Sequence, residues 1–144
     1  MDDRERIDLV MKAIAAAADN DADTAAEAFN TVGENSTPSQ MYGVACALAE
    51  AAKVLLDKLI GPLPDGSMYA LDQLTPGAEL RDPAQLFAVR FIVANANRDK
   101  DTRLALFSTA HNATPDDYVD SLMALLCTTG NFMRLAEANK ASQN

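Results

Sequence analysis

Apolar residues recur every three or four positions along most of this chain, which is the spacing of one face of an α-helix. The predicted inner face of the first helix, over residues 4–18, consists of Ile7, Val10, Met11, Ile14 and Ala18. A second helix is predicted to end near Val32, with Gly33 as its C-cap, and a third to run from residue 38 to Gly61. Because a similar pattern returns after residue 82, we predict an all-α fold of about six helices.

Helix-start signals divide the chain at regular points. Thr37, followed by a proline and then by Gln40, predicts a capping box at the start of the third helix. Asp82 and Gln85 have the same spacing around another proline and predict the same arrangement for the fourth helix. Thr114, again before a proline, predicts the start of the last helix.

The two halves of the chain resemble each other. Aligned without a gap, Asp21, Asp23, Thr24, Phe29 and Thr31 match Asp99, Asp101, Thr102, Phe107 and Thr109. The alternative is that two helix–loop–helix connections independently acquired the same capping residues and prolines. No capping rule requires an aromatic residue in mid-helix, so Phe29 and Phe107 instead favour a packing role common to both units. We therefore predict an internally duplicated three-helix unit, over residues 3–61 and 82–138. A linker (62–81) joins the units and a tail (139–144) follows, all within one bundle-like domain.

The fourth predicted helix is apolar on nearly all sides, so something must cover it all round. Beyond the face that matches the first helix, it adds Leu86, Phe87, Phe91, Val93 and Ala94. One predicted cover is a short helical turn of the linker, formed by Met68, Tyr69, Leu71 and Leu74. The other is a second copy of the protein, since a contiguous exposed apolar surface usually marks an interface. We favour the homodimer.

Arg90 lies within this apolar arc, although its counterpart in the first helix is on the polar side. A guanidinium in that position must reach water, pair with a carboxylate or bind an anion. The alternative to a protein interface is therefore a small-ligand pocket between the two repeats, lined by Tyr69, Phe87, Arg90 and Phe91. Together, the candidate interface or pocket residues are Tyr69, Leu86, Phe87, Arg90, Phe91 and Ala94.

Composition excludes several classes of partner. The net charge of −9, from 12 Lys and Arg against 21 Asp and Glu, argues against binding to nucleic acid. No apolar run approaches the roughly 20 residues that span a bilayer, and the charged N-terminus lacks the apolar core of a secretory signal. We therefore expect a cytoplasmic protein that does not enter membranes.

Candidate chemistry is sparse. His111 is the only histidine, and Cys46 and Cys127 belong to no CxxC pair, so neither a metal site nor acid–base catalysis is indicated. We expect both cysteines to be small buried hydrophobes and His111 to be a loop or cap residue. The sequence predicts no catalytic residue and no cofactor. It favours a non-enzymatic helical protein that acts through protein–protein interaction, including self-association, with a small-ligand-binding regulator as the alternative.

Overall fold

Six α-helices make up the regular structure of the described residues. The computed structural model describes residues 1–61, 63–64, 66–70 and 81–142. The helices are α1 (Asp3–Ala18), α2 (Ala22–Glu34), α3 (Pro38–Ile60), α4 (Pro83–Ala96), α5 (Lys100–His111) and α6 (Pro115–Ser142). These ranges contain no strand, so the predicted all-α fold of about six helices is confirmed. The linker residues Leu71 and Leu74, for which a helical turn was predicted, lie outside the described residues.

The central helix of the bundle is α6. It contacts α1, α3 and α4 extensively and α5 over a smaller area. On the outside, α2 packs on α1 and α5 packs on α4, while α3 also contacts α4. Buried residues from all six helices form one hydrophobic cluster, and its fully enclosed side chains include Leu48, Phe91, Ile92 and Leu125. The helices therefore pack around a shared core.

The start of α3 has the predicted capping box. Gln40 N donates to Thr37 Oγ1 over 3.2 Å, and Thr37 N donates to Gln40 Oε1 over 2.8 Å. The matching box predicted for α4 is wrong. Asp82 is the N-cap, but the Gln85 side chain donates to Thr128 Oγ1 on α6 over 3.2 Å. Gln85 therefore bonds to a side chain on another helix instead of to the backbone of its own N-cap residue.

Other helix ends differ in detail from the prediction. At the start of α6, Thr114 Oγ1 accepts from Asp117 N over 3.2 Å, as the sequence indicates. Gly33 does not end α2, which continues for one more residue with Asn35 as its C-cap. The Asn35 side chain donates to the Thr31 carbonyl over 2.8 Å and so satisfies a last-turn acceptor without a left-handed glycine. The last helix extends beyond the predicted boundary at residue 138, to Ser142.

The α1–α2 and α4–α5 joints have the same backbone geometry. The residues before the N-caps, Asn20 and Arg98, both have φ of 58°. The N-caps, Asp21 and Asp99, both donate their backbone N–H over 2.9 Å to the carbonyl of the residue five positions earlier. This match supports a duplicated unit. The duplication stays a prediction, because α4 lies directly against α6 whereas α1 makes no comparable contact with α3.

The inner face of α1 differs from the predicted one. Val10 and Ile14 are buried as expected, but Ile7 is 60% exposed and Met11 is 52% exposed. The buried face is rotated towards Arg6, which is only 5% exposed. The predicted stripe was therefore wrong at two of its largest members.

The rotation follows from how closely α1 approaches α6. Gly130 of α6 is buried, and a Cβ atom at that position would lie 2.6 Å from Ala17 Cβ and 3.0 Å from its carbonyl carbon. Ala13, one turn earlier on α1, is fully buried. Helices this close leave no space between them for a large side chain. The small side chain of Ala17 therefore faces α6, and the large side chains of Ile7 and Met11 turn outward.

Arg6 stabilises this orientation at the other end of α1. Its Nε donates to Ser36 Oγ over 2.8 Å, and its guanidinium also donates to Asp3 over 2.7 Å and to the Asn35 carbonyl over 3.3 Å. These bonds satisfy a charge that would otherwise be costly to bury. They attach the first turn of α1 to the joint between α2 and α3.

We predict that Gly130→Ala lowers the free energy of unfolding by about 2 kcal/mol, because the added methyl group overlaps Ala17 and forces α1 away from α6. The matched control is Gly33→Ala in α2, where nothing lies within 4 Å of the new Cβ. We expect the control to stabilise the protein by up to about 1 kcal/mol, through the higher helix propensity of alanine. Urea unfolding followed by circular dichroism measures both. Equal effects of the two substitutions would contradict the close contact.

Candidate functional site

The six candidate residues from the sequence do not form one site. Phe91 and Ala94 are buried inside the bundle, and Phe87 is largely buried. The Phe91 ring packs against Phe87 and meets the edge of Tyr42 from α3, with centroids 5.5 Å and 6.5 Å apart. Phe87, Phe91 and Ala94 are thus buried on a side of α4 that packs against α3 and α5, whereas Leu86 stays partly exposed.

Leu86, Phe87 and Arg90 line a groove of about 690 Å³ between α4, α5 and α6. Arg90 is exposed there, and within the described residues no carboxylate is in ion-pair distance of it. The groove lies within the second predicted unit rather than between the units. Tyr69 lies at the opposite end of α4, beside Asn97, so the predicted four-residue pocket is not assembled.

A different groove, of about 440 Å³, lies between the two predicted units. Its polar groups pair with one another: Gln85 bonds Thr128, and Arg134 donates to Asn20 Oδ1 over 2.7 Å. Cys127 also lines it and is exposed, contrary to the predicted buried position. Partial burial nevertheless raises the pKa of the Cys127 thiol, which keeps it protonated and weakly nucleophilic.

The other predicted chemical residues have structural surroundings. Cys46 is half-buried, and burial raises the pKa of its thiol. His111 is the last residue of α5, as the predicted position near a helix end requires. Its ring stacks on Phe107 and meets the edge of Tyr118, with centroids 6.2 Å and 5.3 Å away. Both histidine contacts are packing contacts at the surface of the bundle.

A chain of polar side chains connects α3 to α4 and α5, and sequence reasoning missed it. Arg103 of α5 donates to Tyr42 Oη over 3.0 Å and to Asn95 Oδ1 over 2.7 Å. Asn95 in turn donates to Glu50 over 2.9 Å. The only sequence signal was the polar spacing along α3, where Tyr42 and Glu50 lie two turns apart. Because each group has a hydrogen-bond partner, we assign this network to stability.

Tyr69, a linker residue, makes further polar contacts on the same side of the bundle. Its backbone N–H donates to Asn97 Oδ1 over 2.7 Å, and Asn97 returns a bond to the Tyr69 carbonyl over 3.0 Å. The Tyr69 hydroxyl donates to Asp57, which is also 3.5 Å from the Lys53 ammonium. Burial, followed by this bond, raises the pKa of Tyr69 to about 12. Tyr69 is therefore attached to the C-terminal ends of α3 and α4.

An open groove with a mostly apolar lining lies between α1 and α3, which both rest against α6. We call it the α1–α3 groove; its volume is about 380 Å³. On α1 it is lined by Ile7, Val10, Met11 and Ile14. On α3 it is lined by Gly43, Val44, Ala47 and Ala51. Asp3, Arg6 and Gln40 close one end with polar side chains, and the rest of the lining is apolar over about two helical turns.

No protein-family model, curated protein sequence or solved structure matches this chain. In the described part of the chain, no group of three or more His, Cys, Asp or Glu side chains is placed to hold a metal ion. In the same part of the chain, no helix combines the length and the apolar character needed to cross a bilayer. We therefore infer function from the geometry of the surface.

We predict that Arg103→Met lowers the free energy of unfolding by about 2 kcal/mol, since it leaves the buried Asn95 oxygen without a donor. The control is Arg90→Met, which removes the same charge from an exposed site and is expected to change stability by less than about 0.5 kcal/mol. Chemical denaturation of the two variants beside the wild type makes the comparison. A similar loss of unfolding free energy in both variants would show that the hydrogen bonds of Arg103 add no stability beyond the effect of its positive charge.

The raised pKa of Tyr69 predicts a pH dependence. Because the folded-state pKa of about 12 exceeds the ordinary value of 10.0, the bond to Asp57 stabilises the fold fully below about pH 10. That stability is lost as the pH rises towards 12. We therefore expect wild type to exceed Tyr69→Phe in unfolding free energy at neutral pH, and this difference to shrink at about pH 11. A difference that is unchanged between the two pH values would contradict the assigned bond.

Proposed function

We propose that this protein is a non-enzymatic helical protein that binds another polypeptide through the α1–α3 groove. The observation that carries the proposal is the exposure of Ile7 and Met11 in a groove whose lining is mostly apolar. Burying such a side chain fully contributes roughly 1.5 to 3 kcal/mol, and a soluble protein gains nothing by leaving two adjacent ones in water. A cytoplasmic location remains a prediction from the sequence.

The shape of the groove fits a helix better than a compact ligand. It lies between two helices and is lined along two turns by residues spaced three or four apart, from Ile7 to Ile14. An amphipathic helix presents anchors at the same spacing, which is the common way a helical groove recognises a peptide. Few polar groups lie inside the channel to orient a small molecule. The ligand-binding alternative is less well supported, because Tyr69, Phe91 and Arg90 face different parts of the structure.

Site-specific photo-crosslinking tests the proposal. A photoreactive phenylalanine analogue at position 47, in the α1–α3 groove, is expected to form adducts with one or a few polypeptides in lysate of the source cell. The matched control carries the same analogue at position 108, an exposed serine on α5. We expect Met11→Asp to reduce the adducts at position 47 at least about tenfold, because it puts a charge in an apolar contact.

The same polypeptides captured equally from positions 47 and 108 would contradict a specific role for the groove. An unchanged yield of adducts at position 47 in the Met11→Asp variant would also contradict that role. Thermal unfolding of each variant verifies that the fold is retained, so that a loss of crosslinking reports on the surface.

A further inference from the structure

We infer that the polypeptide bound in the α1–α3 groove is a second copy of this chain, related by a two-fold axis that runs along the groove. The inference rests on the proposed function, because it names the occupant of the same surface. Its basis is that the face is complementary to itself in shape and carries little of the negative charge of the chain.

Two rows of side chains make the face complementary to itself in shape. On α1, the exposed Ile7 and Met11 lie four residues apart and form a ridge. On α3, the exposed Gly43 and Ala47 also lie four residues apart and form a shallow row. Ridges and grooves with this spacing interdigitate when two helices pack. Each copy therefore offers both a ridge and a row that accepts one.

The direction of the helices makes this match reciprocal. Arg6, near the start of α1, bonds to Ser36, just before α3, so both helices begin at the same end of the groove. Ile7 and Gly43 both lie near that end, and Met11 and Ala47 follow one turn later. A two-fold axis along the groove places the ridge of each copy over the row of the other. The contact is then made twice, as an isologous interface requires.

The charge distribution favours this face for self-association. The chain has a net charge of −9, so two copies repel each other over much of their surface. The exposed positions of α3 from Ser39 to Ala47 carry no charge. Beside the ridge on α1 are Arg4, Asp8 and Lys12, and the Asp3 carboxylate at the end of the groove is paired with Arg6. Two copies can approach through this face without bringing acidic surfaces together.

Analytical ultracentrifugation of wild type, Ala47→Arg and Ser108→Arg tests the dimer. We expect the wild-type chain, of 15.4 kDa, to sediment at twice that mass at micromolar concentration. Ala47→Arg should weaken the dimer about 100-fold or more, because it buries an unpaired guanidinium in the contact. Ser108→Arg makes the same change of charge on an exposed site of α5 and should leave the dimer intact.

Cysteine crosslinking tests the arrangement of the two copies. In a background with Cys46→Ala and Cys127→Ser, Met11→Cys and Ala47→Cys are made as separate proteins and oxidised either alone or mixed. The proposed axis places position 11 of one copy over position 47 of the other, so the mixture should give a covalent dimer. Each protein alone should give at least about tenfold less, since like positions lie on opposite sides of the axis.

The outcomes separate this inference from the proposed function. A wild-type protein that stays monomeric at high micromolar concentration overturns the second copy as occupant, while crosslinks specific to position 47 would still uphold polypeptide binding. A dimer that tolerates Ala47→Arg, or that crosslinks as well from a single variant as from the mixture, also overturns the inference. If adducts from positions 47 and 108 are in addition the same, the proposed function fails as well.

Discussion

The close approach of α1 to α6 is the contact on which the rest of the structure depends. The two backbones come so near at this point that even a methyl group at Gly130 would overlap Ala17. This contact decides which side of α1 faces inward. It favours small residues such as Ala13 over large ones, so the apolar residues that do not fit are displaced to the surface. The close packing of α1 on α6 thereby leaves Ile7 and Met11 exposed at the surface.

The two sides of the bundle are held together by different chemistry. Between α1 and α6 the contact is apolar and depends on small residues. Between α3 and the α4–α5 pair, hydrogen bonds centred on Arg103 and Asn95 accompany the apolar packing, and Tyr69 extends them to the linker. Polar contacts of this kind fix partners and register, because a shift would leave buried groups without bonds. The apolar α1 side lacks such bonds along the α1–α3 groove, which leaves that face open.

The two halves of the bundle differ in which of their helices are in contact. In the second half α4 lies directly on α6, whereas in the first half α1 and α3 remain separated. The sequence predicts the unusual apolar surface on α4, and in the structure α5 packs against that helix. Apolar side chains are also exposed on α1, at Ile7 and Met11, where the first half lacks the equivalent helix contact. A partner that fills the α1–α3 groove would supply the packing that the second half already has.

Local patterns in the sequence determined the helices and most of their ends. Thr37 with Gln40, and Thr114 before Pro115, act through bonds to backbone groups within one turn, so their effect could be predicted without the rest of the fold. The inner face of α2 was predictable for a similar reason, since Ala25, Ala28, Phe29 and Val32 form a single apolar stripe and all are buried. Only the tertiary structure decided the inner face of α1, the partner of Gln85 and the cover of Phe91. Each of these depends on a residue more than 40 positions away, and helical periodicity contains no information about which distant residue arrives or how closely it packs.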